Sequence, residues 1–163
     1  MPMTPAREEA IAQYGNQLRV RVCGILVEDN QMLLIKHQAV LEAGVYWSPP
    51  GGGVQFGESA REALCREFLE ETHLQIEVVK LLFVNQFLRP PLHAIELYFE
   101  VKRLNGSEQL GSDPELSNQL MEAVVWLTWP EIEALSRSEK ASFLSRCRTM
   151  ADVFSQTGYY DED

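Results

Sequence analysis

The stretch Gly52-Gly53-Val54-Gln55-Phe56-Gly57-Glu58-Ser59-Ala60-Arg61-Glu62-Ala63-Leu64-Cys65-Arg66-Glu67-Phe68-Leu69-Glu70-Glu71-Thr72-His73-Leu74 carries most of the information in this chain. Its second half has helical periodicity. Ala60, Ala63, Leu64 and Phe68 recur at steps of three and four, which gives a helix from about Ser59 to Thr72 one apolar face for a core. Glu67, Glu70 and Glu71 stand at i, i+3 and i+4, so their carboxylates gather on one patch of the opposite face. An acidic helix face taken alone is a solvated surface. Three carboxylates held this close repel, and without a counter-charge at least one tends to keep a proton. A hard cation resolves that repulsion, because Mg²⁺ takes oxygen ligands and commonly bridges a few carboxylates to phosphate oxygens.

Just before the helix lies Trp47-Ser48-Pro49-Pro50-Gly51-Gly52-Gly53, where prolines remove donors and glycines admit unusual backbone angles. The expectation is a shaped loop without regular structure, in which Gly51, Gly52 and Gly53 let the backbone approach a ligand closely. Arg66 and Glu58 are expected to support the cluster, since an arginine fork can hold a carboxylate bidentately and so orient a metal ligand.

The spacing Gly52, five residues, Glu58, seven residues, Arg66-Glu67, then Phe68, Leu69, Glu70-Glu71, Thr72, His73 and Leu74 resembles the signature of the Nudix hydrolase family. It departs at one position, His73, where the family has a second Gly. A match this close arises by chance in a chain of this length with a probability of about 10⁻⁵, given ordinary residue frequencies. His73 falls where the helix should end in a left-handed residue, and His is among the residue types that tolerate positive φ, so a small stability cost and an intact site are expected. The resemblance runs from Val20 to about Leu135, including Trp47 before the glycines and Val125-Trp126-Leu127.

That resemblance implies an α+β fold of the Nudix type, an α/β/α sandwich around a mixed central sheet. It also implies hydrolysis of a nucleoside diphosphate linked to another moiety, with Mg²⁺ (or Mn²⁺) held by Glu67, Glu70, Glu71 and the Gly51 carbonyl, and with Arg66 and Glu58 in support. The general base is Glu70 or, beyond the signature, Glu115 or Glu122. Pro90, 16 residues after the signature, lies close to where ADP-ribose-hydrolysing relatives often carry a proline. ADP-ribose or a related nucleotide sugar is therefore the leading substrate class. Nucleoside triphosphates, oxidised ones included, are the alternative within the enzymes, and a catalytically silent nucleotide-binding module is the alternative outside them. Tyr46, Phe83, Phe87 and Tyr98 are candidates to stack a base, although aromatics in strands are usually core.

The rest of the chain frames this stretch. At 163 residues and 18.6 kDa, with 45% hydrophobic and 23% charged residues, it has the composition of a single folded domain over 1–163. A net charge of -10 excludes duplex nucleic acid and anionic membranes as partners held by a basic surface, and leaves a small-molecule nucleotide. Cys23, Cys65 and Cys147 have no metal or disulfide spacing and read as reduced thiols. With no signal or membrane segment in the sequence, cytoplasmic residence is expected. Thr4-Pro5 opens a short helix from about 4 to 15, which packs on the domain or serves a homodimer. Leu18–Val27 and Met32–Ile35 read as a hairpin. Ile76–Phe87, Ala94–Val101 and Glu122–Leu127 read as further strands, with a short helix from about Pro130 to Leu135. A capping box at Ser136 and Glu139 heads a last helix over about 137–157, with Phe143, Cys147, Met150 and Phe154 as its core stripe and a frayed tail from Tyr159.

Overall fold

The computed structural model describes residues 2–42 and 44–161. Two sheets form the middle of the molecule, one of five strands ending on Tyr159–Asp161 and one of four strands built on Gln31–Gln38. In the first sheet β1 (Gln17–Ile25) lies parallel to β7 (Leu92–Asn105) and antiparallel to β5 (Gly51–Gly53), and β7 forms a long hairpin with β6 (Gln75–Arg89). In the second, β3 (Gln31–Gln38) is flanked by β2 (Val27–Glu28), β4 (Val45–Ser48) and β8 (Met121–Thr128).

Alternation along the strands divides the core in two. Val22, Leu33, Phe99, Val101, Val124 and Trp126 face α2 (Ala60–Thr72), where Ala63, Leu64 and Phe68 meet them. Cys23, Ile25, Met32, Leu34, Phe83 and Tyr98 face the other way, against Ile132 of α3 (Trp129–Ala134) and the C-terminal segments. This is the expected α+β sandwich with mixed pairing, although the pairing is split between two sheets.

Four local expectations are corrected. The hairpin is only β2 with β3, turned at Asp29 and Asn30 with φ of 48° and 60°, while β1 pairs in the other sheet. The backbone twist of such a primed turn suits a hairpin, but Val22 and Cys23 need cores on both faces, which pairing with β7 supplies. The stretch before α2 is regular after all, apart from Pro49-Pro50. β4 ends there on one sheet and β5 begins on the other, so two residues without donors mark the crossing. The last helix is broken into a 3₁₀ turn (Arg137–Glu139), α4 (Ser142–Ser145) and α5 (Met150–Ser155). Ala141 donates its N–H to the Trp47 carbonyl at 2.9 Å, and Thr149 opens a new capping box with Asp152, so both interrupt the run. Phe143 and Met150 are nonetheless buried, and Cys147 and Phe154 pack beside them. Tyr159–Asp161 forms β9, parallel to β6, where fraying was expected; residues 162 and 163 lie outside the described residues. The three cysteines are free, and among the described residues no helix is long and apolar enough to cross a membrane.

Candidate active site

α2 begins at Ser59, whose side chain accepts from the Glu62 N–H while Glu62 accepts from the Ser59 N–H, a reciprocal cap that fixes the first turn. It ends at His73, φ 61°, in the left-handed conformation expected there. Between these ends the apolar face locks the helix against the sheet and presents the acidic face to β5 and Arg66.

Glu67 and Glu71 are both buried and line a cleft that opens between the two sheets. Gly51 donates its N–H to Glu71 Oε2 at 3.0 Å. A side chain at Gly52 would put a Cβ 2.4 Å from the Glu67 carboxylate, so only glycine lets that carboxylate reach β5. Gly51 is held for a different reason, because its Cβ would meet the Val22 carbonyl at 2.0 Å. Gly51, Gly52 and Gly53 all line the cleft.

Arg66 is the hub of this arrangement. Its fork donates to Glu58 (Nη2 to Oε1, 2.7 Å; Nε to Oε2, 3.1 Å), and Nη1 donates to Glu67 at 2.9 Å and Glu70 at 3.1 Å. Nη2 also reaches the Gly53 carbonyl at 3.1 Å. The bond from Arg66 holds the Glu58 carboxyl below its ordinary range. Burial acts the other way on the cluster. It pushes Glu67 up to about 7 against the pull of Arg66, and it raises Glu71 well above the ordinary value, with the Glu67 charge adding to the effect.

Among the described residues, no three His, Cys, Asp or Glu side chains converge as a ready coordination shell, and Glu70, tied to Arg66, does not line the cleft. The donor set still fits a hard divalent cation. Two buried carboxylates line the cleft, Arg66 alone does not keep both ionised, and a third carboxylate is tied to the same arginine.

The remaining candidates divide. Glu115 is on the cleft wall and accepts from the Tyr14 hydroxyl at 3.0 Å, whereas Glu122 is outside it and pairs with Lys36 at 3.3 Å. Tyr46 and Phe87 line the cleft; Phe83 and Tyr98 are core, stacked at 4.7 Å. Pro90 is on a separate shallow groove beside Leu18 and Leu88, and does not line the cleft. His37 and His93 do line it, His37 bonded to Ser48 at 3.1 Å; His73 caps the helix and does not line the cleft.

The cleft also contains residues that the sequence reading passed over, namely Tyr14, Arg19, Arg21, Glu96 and Asp113. Arg21 donates to Glu96 at 2.9 Å, and Glu96 accepts in addition from Tyr98 and Asn85. The signal was present in β1, where Arg19 and Arg21 alternate with Leu18, Val20 and Val22. Period two puts both arginines on one face of the strand, the side that carries Cys23 and Ile25.

The model of the NUDIX domain family matches residues 15–147. The chain belongs to the Nudix family. An ADP-ribose pyrophosphatase of Methanocaldococcus jannaschii is 38% identical over 96 residues, 58% of this Nudix chain and 56% of the relative. A putative 8-oxo-dGTP diphosphatase of Bacillus subtilis is 50% identical over 48 residues, 29% of this chain and 30% of that one. The matches thus span about half the length of the first relative and less of the second. Among solved structures, the MutT NUDIX hydrolase from Burkholderia pseudomallei superposes with a TM-score of 0.62 at 28% identity, covering 76% of this chain and 93% of its own.

Proposed function

We propose that this Nudix chain is a divalent-metal-dependent pyrophosphohydrolase that cleaves a nucleoside diphosphate linked to another moiety, with ADP-ribose or a related nucleotide sugar as its leading substrate. The observation that carries this reading is the pair of buried carboxylates, Glu67 and Glu71, in a cleft lined by residues of both sheets. A bound divalent cation would supply positive charge for the phosphates and an acidified water there. The chain's own residues do the rest. Glu67 and Glu71 would hold the cation, Arg66 and Glu58 fix Glu67 and Glu70 in place, and Gly51 orients Glu71 through its N–H. Tyr46, Phe87 and Met121 give the cleft apolar surface for a base. Glu115, on the cleft wall, is the proposed general base, with Glu70 as the alternative, which would have to leave Arg66 to reach the cleft. Because the Pro90 cue falls outside the cleft, the preference for ADP-ribose rests on the likeness to the archaeal pyrophosphatase.

The likeness to the 8-oxo-dGTP diphosphatase supports a second reading, in which the substrate is a nucleoside triphosphate. A Mg²⁺ and Mn²⁺ hydrolysis screen over ADP-ribose, other nucleotide sugars, dinucleotide polyphosphates, and normal and oxidised triphosphates separates the two. The expected result is turnover of the diphosphate-linked compounds first. Saturable nucleotide binding with no product under any condition would replace the enzyme with a sensor. Glu67→Gln should lower kcat by at least about a hundredfold while the protein stays folded, with a metal-free thermal midpoint near neutral pH no lower than that of wild type, and near-normal turnover in that variant would remove the proposed site.

A further inference from the structure

The wall of the cleft supplied by α1 (Pro5–Tyr14) has more than a covering role. Arg19 lies on the cleft face of β1 with its guanidinium carbon 3.8 Å from the centroid of the Tyr14 ring. The same guanidinium is beside the glycine strand, since a Cβ at Gly53 would be 3.0 Å from its Nη2. Its neighbour Arg21 is neutralised by Glu96. Arg19 has no carboxylate within 4.0 Å and no hydrogen-bonded acceptor among the described residues. A guanidinium held half-buried against an aromatic ring, with its donors unused and facing a cleft, is prepared for an anion that brings two oxygens.

The ring that holds it is itself fixed. The Tyr14 hydroxyl donates to Asp113 Oδ2 at 3.1 Å and Glu115 Oε2 at 3.0 Å. Glu9, on the same helix, accepts from the Ser117 and Asn118 N–H groups. That loop is bound in turn to the end of α2, with Gly111 donating to the Glu71 carbonyl at 2.9 Å and Ser112 to the Glu70 carbonyl at 3.0 Å. An unbroken set of contacts therefore fixes Arg19 relative to the carboxylates.

We propose that Arg19 binds a phosphate oxygen of the nucleotide directly, with no metal between them, and that Tyr14 is its positioning residue. This rests on the reading that a nucleoside diphosphate enters this cleft. It also extends the substrate site into α1, a segment that precedes the part of the chain matched by the family model.

The test is calorimetric titration of ADP, with adenosine as the phosphate-free control, in EDTA, so that metal cannot carry the binding. Arg19→Ala should weaken ADP about tenfold and leave adenosine unchanged, and Arg19→Lys should recover part of the loss. Tyr14→Phe keeps the ring and should bind ADP within about twofold of wild type, whereas Tyr14→Leu should lose about fivefold. With the best substrate of the screen, Arg19→Ala should raise KM more than it lowers kcat. The inference is overturned if Arg19→Ala binds ADP as wild type does, if adenosine weakens equally, or if wild type binds no ADP in EDTA. Should Arg19→Ala not fold, Arg19→Gln answers the same question. A wild type that binds ADP through Arg19 but hydrolyses nothing defeats the proposed reaction and keeps this inference; an active wild type indifferent to Arg19 does the reverse.

Discussion

His73 shows how a single residue can depart from a pattern without changing what the pattern does. It occupies φ 61° and donates its N–H to the Leu69 carbonyl at 3.1 Å, which is the geometry that a glycine would adopt with less strain. Replacing it by glycine should stabilise the protein by roughly 0.5–1 kcal/mol and raise the thermal midpoint by about 1–4 °C with activity unchanged. A calorimetric scan and an activity assay check both halves, and a loss of activity would give His73 a role beyond the cap. The departure was legible beforehand because a helix end has a fixed backbone requirement that sequence spacing exposes. The cleft position of Arg19 was legible only in part: alternation in β1 puts Arg19 and Arg21 on one face, but that pattern does not say whether the face meets a ligand or water.

The glycine strand is the element where two neighbouring residues protect different properties. At Gly51 the obstacle to a side chain is the backbone carbonyl of Val22, and at Gly52 it is the Glu67 carboxylate. Gly51→Ala should therefore separate β5 from β1 and cost stability, on the order of 2–3 kcal/mol. Gly52→Ala should instead move Glu67 and weaken the divalent metal, while the fold loses less. Denaturant melts and metal titrations on the pair distinguish these outcomes, and equal effects on both readouts in both variants would contradict the account. In α2, Arg66→Ala frees Glu58, Glu67 and Glu70 at once and should weaken metal binding by about 10–100-fold. Helix α2 was readable because one periodicity specifies it. The glycine strand was not, because proline and glycine signal irregularity, and only the presence of β1 alongside supplies the pairing that makes Gly51–Gly53 a strand.

At the scale of the whole molecule, the acidic cluster should make stability depend on pH and, on the proposed reading, on a divalent cation as well. Glu67 is raised from its ordinary carboxyl value to about 7 in the fold, so the folded state favours the protonated form. Its contribution is complete below about pH 4.5 and is lost as pH rises through about 7, a change of about 3 kcal/mol. In EDTA the thermal midpoint should thus fall between pH 5 and pH 7.5, and Glu67→Gln should flatten much of that slope. Mg²⁺ should raise the midpoint more at pH 7.5 than at pH 5, because cation and proton compete for the same oxygens. Thermal scans over pH with and without Mg²⁺ test this, and a wild-type slope that persists in Glu67→Gln would place the effect elsewhere.

The sequence by itself determined the parts governed by neighbours along the chain. These are the carboxylates on one helical face, the Ser59 to His73 limits of that helix, the apolar alternation of the strands, and the family to which the chain belongs. The tertiary structure alone decided which strand pairs with which and that the C-terminal run breaks where Trp47 and Thr149 claim its backbone. It also decided that Glu115, but not Glu122 or Pro90, borders the cleft, and that Tyr14 and Arg19 stand at its wall. Periodicity and capping are short-range and leave their mark in adjacent residues. Strand partnership and cleft membership depend on residues many tens of positions apart, where burial and pairing select one arrangement from several that the local pattern allows equally.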